Sequence, residues 1–316
     1  MALDERRNSS DGLNLLRPEA LGRLGRLQFI ARGVVEGFVT GRHRSPYKGF
    51  SAEFAEHRQY VPGDDVRDLD WRVYGRNDRY YVKQFIDETN LRATILLDAS
   101  GSMAYAGDRA SPVAGRVPSK FEYGRYVAAS MAHLMIHQQD AVGLVTFDRR
   151  VRRYIPARSR PMHLRIVLDE LAATRAGDET ALAPVLHDIA ERIHRRGLVM
   201  LISDLFADVD AILEALHHFR HRKHEVVVFQ VLADEELTFP FQQWTDFHGL
   251  EQPDRNIRLD PRAVRAEYLA RFEQFQRRLR TDCGRMKIDC VTLCTRDPYD
   301  NALAVYLAGR QQKVKG

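Results

Sequence analysis

Ala93-Thr-Ile-Leu-Leu-Asp98-Ala-Ser100-Gly-Ser102-Met103 runs from a short apolar stretch straight into a polar loop. A run this short, with no polar face, fits a strand of a parallel sheet buried on both sides. Downstream the chain alternates. Helices are expected at 120–138, 161–172, 182–195, 209–221 and 261–281, from apolar residues recurring every three or four positions. Apolar strands are expected at 141–147, 198–203, 225–232 and 286–293, with a hairpin partner at 151–155. Strands alternating with helices predict an α/β fold with a doubly wound, mostly parallel sheet over 93–300. Residues 234–260, aromatic and acidic, are expected as an insertion, and 301–316 as a C-terminal tail.

Upstream, residues 1–17 are charged and rich in Ser, Asn and Gly, which predicts a flexible tail. Pro18 opens a helical pattern carried by Leu21, Leu24, Leu27 and Ala31. Residues 50–92 combine alternating stretches such as Tyr80-Tyr-Val-Lys-Gln-Phe85 with the turn former Val61-Pro-Gly-Asp-Asp65. They predict a small β-rich unit within an N-terminal extension over 18–92.

Composition sets outer bounds. The 316 residues are 44% hydrophobic, enough for a core. The net charge of +5 permits an acidic partner without demanding nucleic acid. Cys283, Cys290 and Cys294 form no CxxC pair, which speaks against a disulfide framework or a zinc site. The N-terminus has no apolar signal core, and no stretch approaches the ~20 apolar residues that span a bilayer. A cytoplasmic location is the resulting expectation.

In open α/β sheets ligands bind beyond the carboxyl ends of the strands. Two polar clusters fall there: Asp98, Ser100 and Ser102 after the first strand, and Ser203-Asp204 after Val199-Met-Leu-Ile202. Thr180 lies in another loop, Gly177-Asp-Glu-Thr-Ala181. Side-chain oxygens at i, i+2 and i+4 can wrap a hard cation such as Mg²⁺. Because hydroxyls are neutral, few carboxylates face the ion, and it can accept one more oxygen from a partner. That chemistry suits metal-bridged binding better than hydrolysis. The competing reading is that Asp98 caps a turn and the serines are solvated. There is no second aspartate two residues after Asp98, no GxSxG, and neither GxxxxGK[ST] nor GxGxxG. The chain is therefore not expected to be an enzyme. A nuclease would gather more carboxylates around two metals.

Asp98-Ala-Ser-Gly-Ser-Met103 resembles the metal-ion-dependent adhesion site of von Willebrand factor A domains. The resemblance implies Mg²⁺ or Mn²⁺ at Asp98, Ser100 and Ser102, completed by Thr180 and Asp204, with Asp178 or Glu179 as alternatives in the second loop. Phe50-Ser-Ala-Glu-Phe-Ala-Glu-His-Arg-Gln-Tyr-Val-Pro-Gly-Asp-Asp65, Val66-Arg-Asp-Leu-Asp-Trp-Arg-Val-Tyr-Gly-Arg76 and Val82-Lys-Gln-Phe85 resemble the signature of the DUF58 family. That resemblance spans about 42–205. It implies a bacterial adaptor or chaperone-like protein acting with a MoxR-type AAA+ ATPase on a client protein.

The signature region holds ten Lys/Arg and nine Asp/Glu between residues 42 and 92. Such balance predicts an ion-pair network rather than a nucleic-acid patch. Arg58, Asp64, Asp65, Arg67, Asp70, Trp71 and Arg72 are candidates for a docking face beside the metal. Their bland role is to hold two units of the chain together. His133 and His137 are expected as helix-face residues, and Asp148 as a turn former. The apolar face Val264, Tyr268, Phe272, Phe275 and Leu279 is expected to face the core. Two rivals to the adaptor reading remain: a nucleic-acid-binding protein or metal-dependent nuclease, and a structural domain whose metal loop stays empty.

Overall fold

The computed structural model describes residues 52–61, 69–77, 79–87, 91–107, 117–177, 179, 181–251 and 254–315. The expected tail at 1–17 and the helical pattern after Pro18 lie outside these residues. So do Asp64, Asp65, Arg67, Asp178 and Thr180.

Two compact units divide the chain, one reaching from Phe38 to Asn90 and the other containing Leu91–Gly316. In the smaller unit, strand β1 (Ala52–Gln59) pairs antiparallel with β2 (Tyr81–Asp87), and helix α1 (Trp71–Asn77) lies between them in sequence. The β-rich reading of this segment holds, with a helix it did not anticipate. Asp70 closes the first turn of α1: its Oδ1 accepts from Val73 N at 3.3 Å. Trp71 is 61% exposed, and the Tyr74 and Tyr80 rings stack at 4.5 Å. Of Arg58 and Arg72 only the backbone is described, in β1 and α1.

The larger unit is the expected doubly wound sheet. It comprises β3 (Arg92–Asp98), α2 (Lys120–His137), β4 (Ala141–Phe147), β5 (Val151–Arg158), α3 (Pro161–Ala173), α4 (Leu182–Arg192), β6 (Leu198–Ser203), α5 (Val209–His221) and β7 (Glu225–Leu232). The insertion follows as α6 (Asp234–Thr238), β8 (Thr245–His248) and β9 (Asn256–Leu259), then α7 (Pro261–Arg285), β10 (Asp289–Cys294) and α8 (Tyr299–Lys315). The six-stranded order is β10-β7-β6-β3-β4-β5. All neighbours are parallel except β4 and the edge strand β5.

Each central strand is buried along both faces. Leu96, Val145, Val199, Leu201 and Val228 join one core with Leu186 and Ile189 of α4, Leu216 and Phe219 of α5, and Leu279 of α7. On the other face α2 approaches closely: a Cβ at Gly124 would meet Leu97 and Ile202 at 3.2 Å. Lacking that Cβ, the helix can sit against the sheet. Segment 301–316, expected as a tail, is helical to Lys315. Leu303 and Leu307 are buried, Tyr299 stacks on Tyr126 at 5.4 Å, and Tyr306 meets Phe229 edge-on. The i, i+4 spacing of Leu303 and Leu307 was the local signal of this helix.

Candidate functional site

The strand order reverses between β3 and β6: the chain runs through β3, β4 and β5 to one edge, then returns to β6 beside β3 and continues through β7 and β10 to the other. A doubly wound sheet leaves its ligand crevice at that reversal, outside the carboxyl ends. Asp98 closes β3, and Ser203 closes β6 with Asp204 next in sequence. The topology therefore brings together residues about a hundred positions apart.

Asp98 is fully buried and tied down on both oxygens. Its Oδ1 accepts from Ser100 N at 2.9 Å, and its Oδ2 accepts from the Ser203 hydroxyl at 2.6 Å. Ser100 Oγ lies 3.2 Å from Ser102 Oγ. Ser102 begins a 3-10 turn, Ser102–Ala104, which folds the loop back over the strand end. Burial, and then the charge of Asp204, push the Asp98 carboxyl up to about 7 despite the hydrogen bonds from Ser203 and Ser100. Excess negative charge in a desolvated place is the condition in which a proton or a metal cation is favoured.

Leu205 adopts φ 58°, a left-handed conformation that side chains seldom take. The strain is held by burial of the leucine and by Leu205 N donating to Ser203 Oγ at 3.0 Å. The bend lets Asp204 Oδ1 accept from Phe206 N at 3.1 Å and leaves Phe206 itself 74% exposed. A cavity of about 280 Å³ opens beside it, lined by Asp204, Phe206, Glu236, Tyr268, Phe272 and Phe275. The aromatic face of α7 thus serves this cavity as well as the core.

Sequence reasoning missed Lys120. It is 2% exposed, on the first turn of α2, and its Nζ donates to Asp204 Oδ2 at 2.7 Å and to Glu236 Oε1 at 2.6 Å. Burial works to push the ammonium down, but Asp204 and Glu236 outweigh it and hold Lys120 above the usual lysine value. Glu236 also accepts from Ala233 N at 2.8 Å, so the start of the insertion is fastened to the same cluster. Nothing in Pro118-Ser119-Lys120-Phe121 separates this lysine from a solvated one at a helix start. Ser119 does cap α2 in a capping box with Glu122, a local signal the sequence carries.

The second loop is tied to the first as far as it is described. Gly177 N donates to Ala99 O at 3.0 Å. Arg152 donates to Arg175 O at 2.6 Å and Gly177 O at 3.1 Å, and pairs with Asp148. Asp148 Oδ1 accepts from Arg150 N at 3.0 Å, in keeping with a turn former. The His133 and His137 rings pack at 4.2 Å, and burial lowers the His133 pKa. Among the described residues no three His, Cys, Asp or Glu side chains converge as a metal cluster, so an ion at Asp98 would lean on hydroxyl oxygens.

The profile of a family described as "Protein of unknown function DUF58" matches residues 56–278. Uncharacterized proteins of Mycobacterium tuberculosis and Mycobacterium bovis are each 25% identical over 228 residues, spanning 71% of this chain and 68% of theirs. Among solved structures, the conserved hypothetical protein BatB of Bacteroides thetaiotaomicron is 15% identical with a TM-score of 0.43, covering 71% of this chain and 98% of that one. An aerotolerance-related membrane protein of Bacteroides fragilis is 16% identical with a TM-score of 0.41, covering 71% and 99%. The cytoplasmic expectation is corrected at this point, because proteins named as membrane proteins stand among the matched structures. No helix among the described residues is long and apolar enough to cross a membrane, which does not by itself assign a location.

Proposed function

The chain belongs to the DUF58 family, and from there we propose that it is a metal-dependent protein-binding adaptor rather than an enzyme. It resembles a von Willebrand factor A-like domain, with Asp98, Ser100 and Ser102 holding one Mg²⁺ or Mn²⁺ and Thr180 and Asp204 completing the set. The observation that carries the reading is the convergence of Asp98, Asp204 and three serine hydroxyls at neighbouring strand ends, with the buried Lys120 ammonium on Asp204. The donors are all oxygen, as a hard cation requires. With Lys120 on one oxygen of Asp204 and Phe206 N on the other, Asp204 would act on the ion through water. When bound, the ion supplies an acceptor position for a carboxylate of the partner. The partners proposed are a MoxR-type AAA+ ATPase and a client protein. Phe206 and its cavity lie next to Asp204 for an apolar side chain of the same segment. Arg58, Asp64, Asp65, Arg67, Asp70, Trp71 and Arg72 form the proposed second docking face.

Two measurements test this. Isothermal titration with Mg²⁺ should give one site per chain in the wild type and none in Asp98→Ala. Surface plasmon resonance against the ATPase should show binding that disappears in EDTA and returns with Mg²⁺. Equal binding in both conditions overturns the metal bridge.

Lys120 favours a second reading. Its ammonium could act as the permanent counter-ion of Asp204, and the loop would then need no metal. Absence of any Mg²⁺ heat in a folded wild-type protein would select that reading.

A further inference from the structure

Far from Asp98 in sequence, α4 and α5 pack side by side and bring two histidines into contact. His187 Nδ1 lies 2.9 Å from His218 Nδ1, with the rings tilted 39° to one another. On its other side His218 Nε2 is 3.0 Å from Glu191 Oε1. Glu191 is itself held by Arg222 Nη1 at 2.7 Å. A carboxylate only accepts, so His218 Nε2 donates to Glu191, and in the neutral ring Nδ1 is then left as the acceptor. His187 donates its Nδ1–H to that nitrogen. The pair therefore shares one proton between two nitrogens that would each serve as a metal ligand.

We infer that His187 and His218 form a site for a late first-row transition-metal ion, of the Cu²⁺ or Ni²⁺ class. Three features support it. First, metal-bound histidines commonly donate their other ring N–H to a carboxylate, which fixes the tautomer and raises ligand basicity. Glu191, braced by Arg222, stands in that position. Second, at metal–nitrogen bonds of about 2.0–2.1 Å, two nitrogens at a right angle lie about 2.9 Å apart, the separation found. A tetrahedral ion would need about 3.3 Å at the same bond length. The separation is set by the hydrogen bond and already equals a right-angle bite, so a turn of each ring admits the ion, and paired imidazole donors suit Cu²⁺ and Ni²⁺. Third, both rings are partly exposed, so an ion can enter and the remaining positions can be filled by water. No third His, Cys, Asp or Glu ligand converges there among the described residues.

The protons balance without net release. His187 moves its proton from Nδ1 to Nε2 by exchange with water, and both Nδ1 lone pairs turn to the ion. The site is chemically separate from Asp98, since imidazole suits late transition metals while Mg²⁺ prefers oxygen. It does not depend on the adaptor reading.

The test is calorimetric titration of the full, tag-free chain with NiCl₂ in saturating Mg²⁺, backed by electron paramagnetic resonance with one equivalent of Cu²⁺. One Ni²⁺ site per chain is expected, with hyperfine structure from two nitrogens in the copper spectrum. His187→Ala and His218→Ala should each remove the Ni²⁺ event while circular dichroism stays unchanged. Glu191→Gln should weaken it about tenfold or more. Asp98→Ala should leave it intact. If folded His187→Ala and His218→Ala proteins bind Ni²⁺ as the wild type does, the pair is only a hydrogen bond between helices and the inference falls.

Discussion

Asp140 and Lys120 illustrate, at the scale of single residues, two ways of placing a charge inside this protein. Asp140 is 3% exposed, and its Oδ1 accepts from Leu91 N at 3.0 Å. Burial pushes its carboxyl from 3.8 up to about 7. Between those values the folded protein binds a proton that the unfolded chain does not, so stability falls as pH rises through this window. Asp140→Asn keeps the acceptor for Leu91 N and removes the titration. The variant should melt at a higher temperature than the wild type at pH 8, by on the order of 1–4 kcal/mol of stability, and the difference should vanish at pH 3.5. Thermal denaturation of both proteins across that range checks it. Lys120 is the opposite case, a buried charge matched by two carboxylates. Lys120→Met strands Asp204 and Glu236, and breaking such a pair typically costs about 3–5 kcal/mol. A urea midpoint unchanged from wild type would show that the two carboxylates simply pick up protons or water.

Among the elements, β5 and α8 were the least legible. β5 extends to Arg158 and pairs with β4 through register shifts between Val142 and Leu144 and between Thr146 and Phe147. Gly143 sits inside one of them. A Cβ there would meet Ile155 O at 2.7 Å and Ala157 N at 2.9 Å, both backbone atoms that cannot swing aside. Gly143→Ala should therefore destabilise by about 1–3 kcal/mol, the usual range for forced overpacking, measurable by chemical denaturation. For α8, Leu303 is fully buried. Leu303→Ala should cost about 2–5 kcal/mol, whereas alanine at a residue of a free tail would cost nothing. The strands β3, β4, β6 and β7 were readable to the residue or nearly so because both their faces are buried, which leaves an unbroken apolar run. The ends of α4, α7 and β10 were not, because helix ends fray and mixed polar residues mark them weakly.

For the molecule as a whole, the adaptor proposal places Phe206 at the rim of the site. The ring is 74% exposed, so Phe206→Ala should leave the melting temperature within about 0.5 kcal/mol of stability. It should nevertheless weaken binding to the ATPase by more than about 1 kcal/mol if the aromatic anchors the interface. Surface plasmon resonance on a variant shown to melt like the wild type separates the two effects. An unchanged affinity would move the interface away from Asp204, toward the 52–87 unit.

The doubly wound sheet was legible along the chain, because burial on two faces writes itself as apolar runs and packing on one face as a 3.6-residue period. The sequence also nominated Asp98, Ser100, Ser102 and Asp204, because loops at strand ends can be found by counting along the chain. What those residues face is set by the packing of distant elements. Lys120 and Glu236 lie 116 positions apart, and His187 and His218 lie 31 apart. Lys120, His187 and His218 read locally as helix residues, and Glu236 as part of an insertion. Their pairing depends on which helices pack together and at what register, and no local spacing records that.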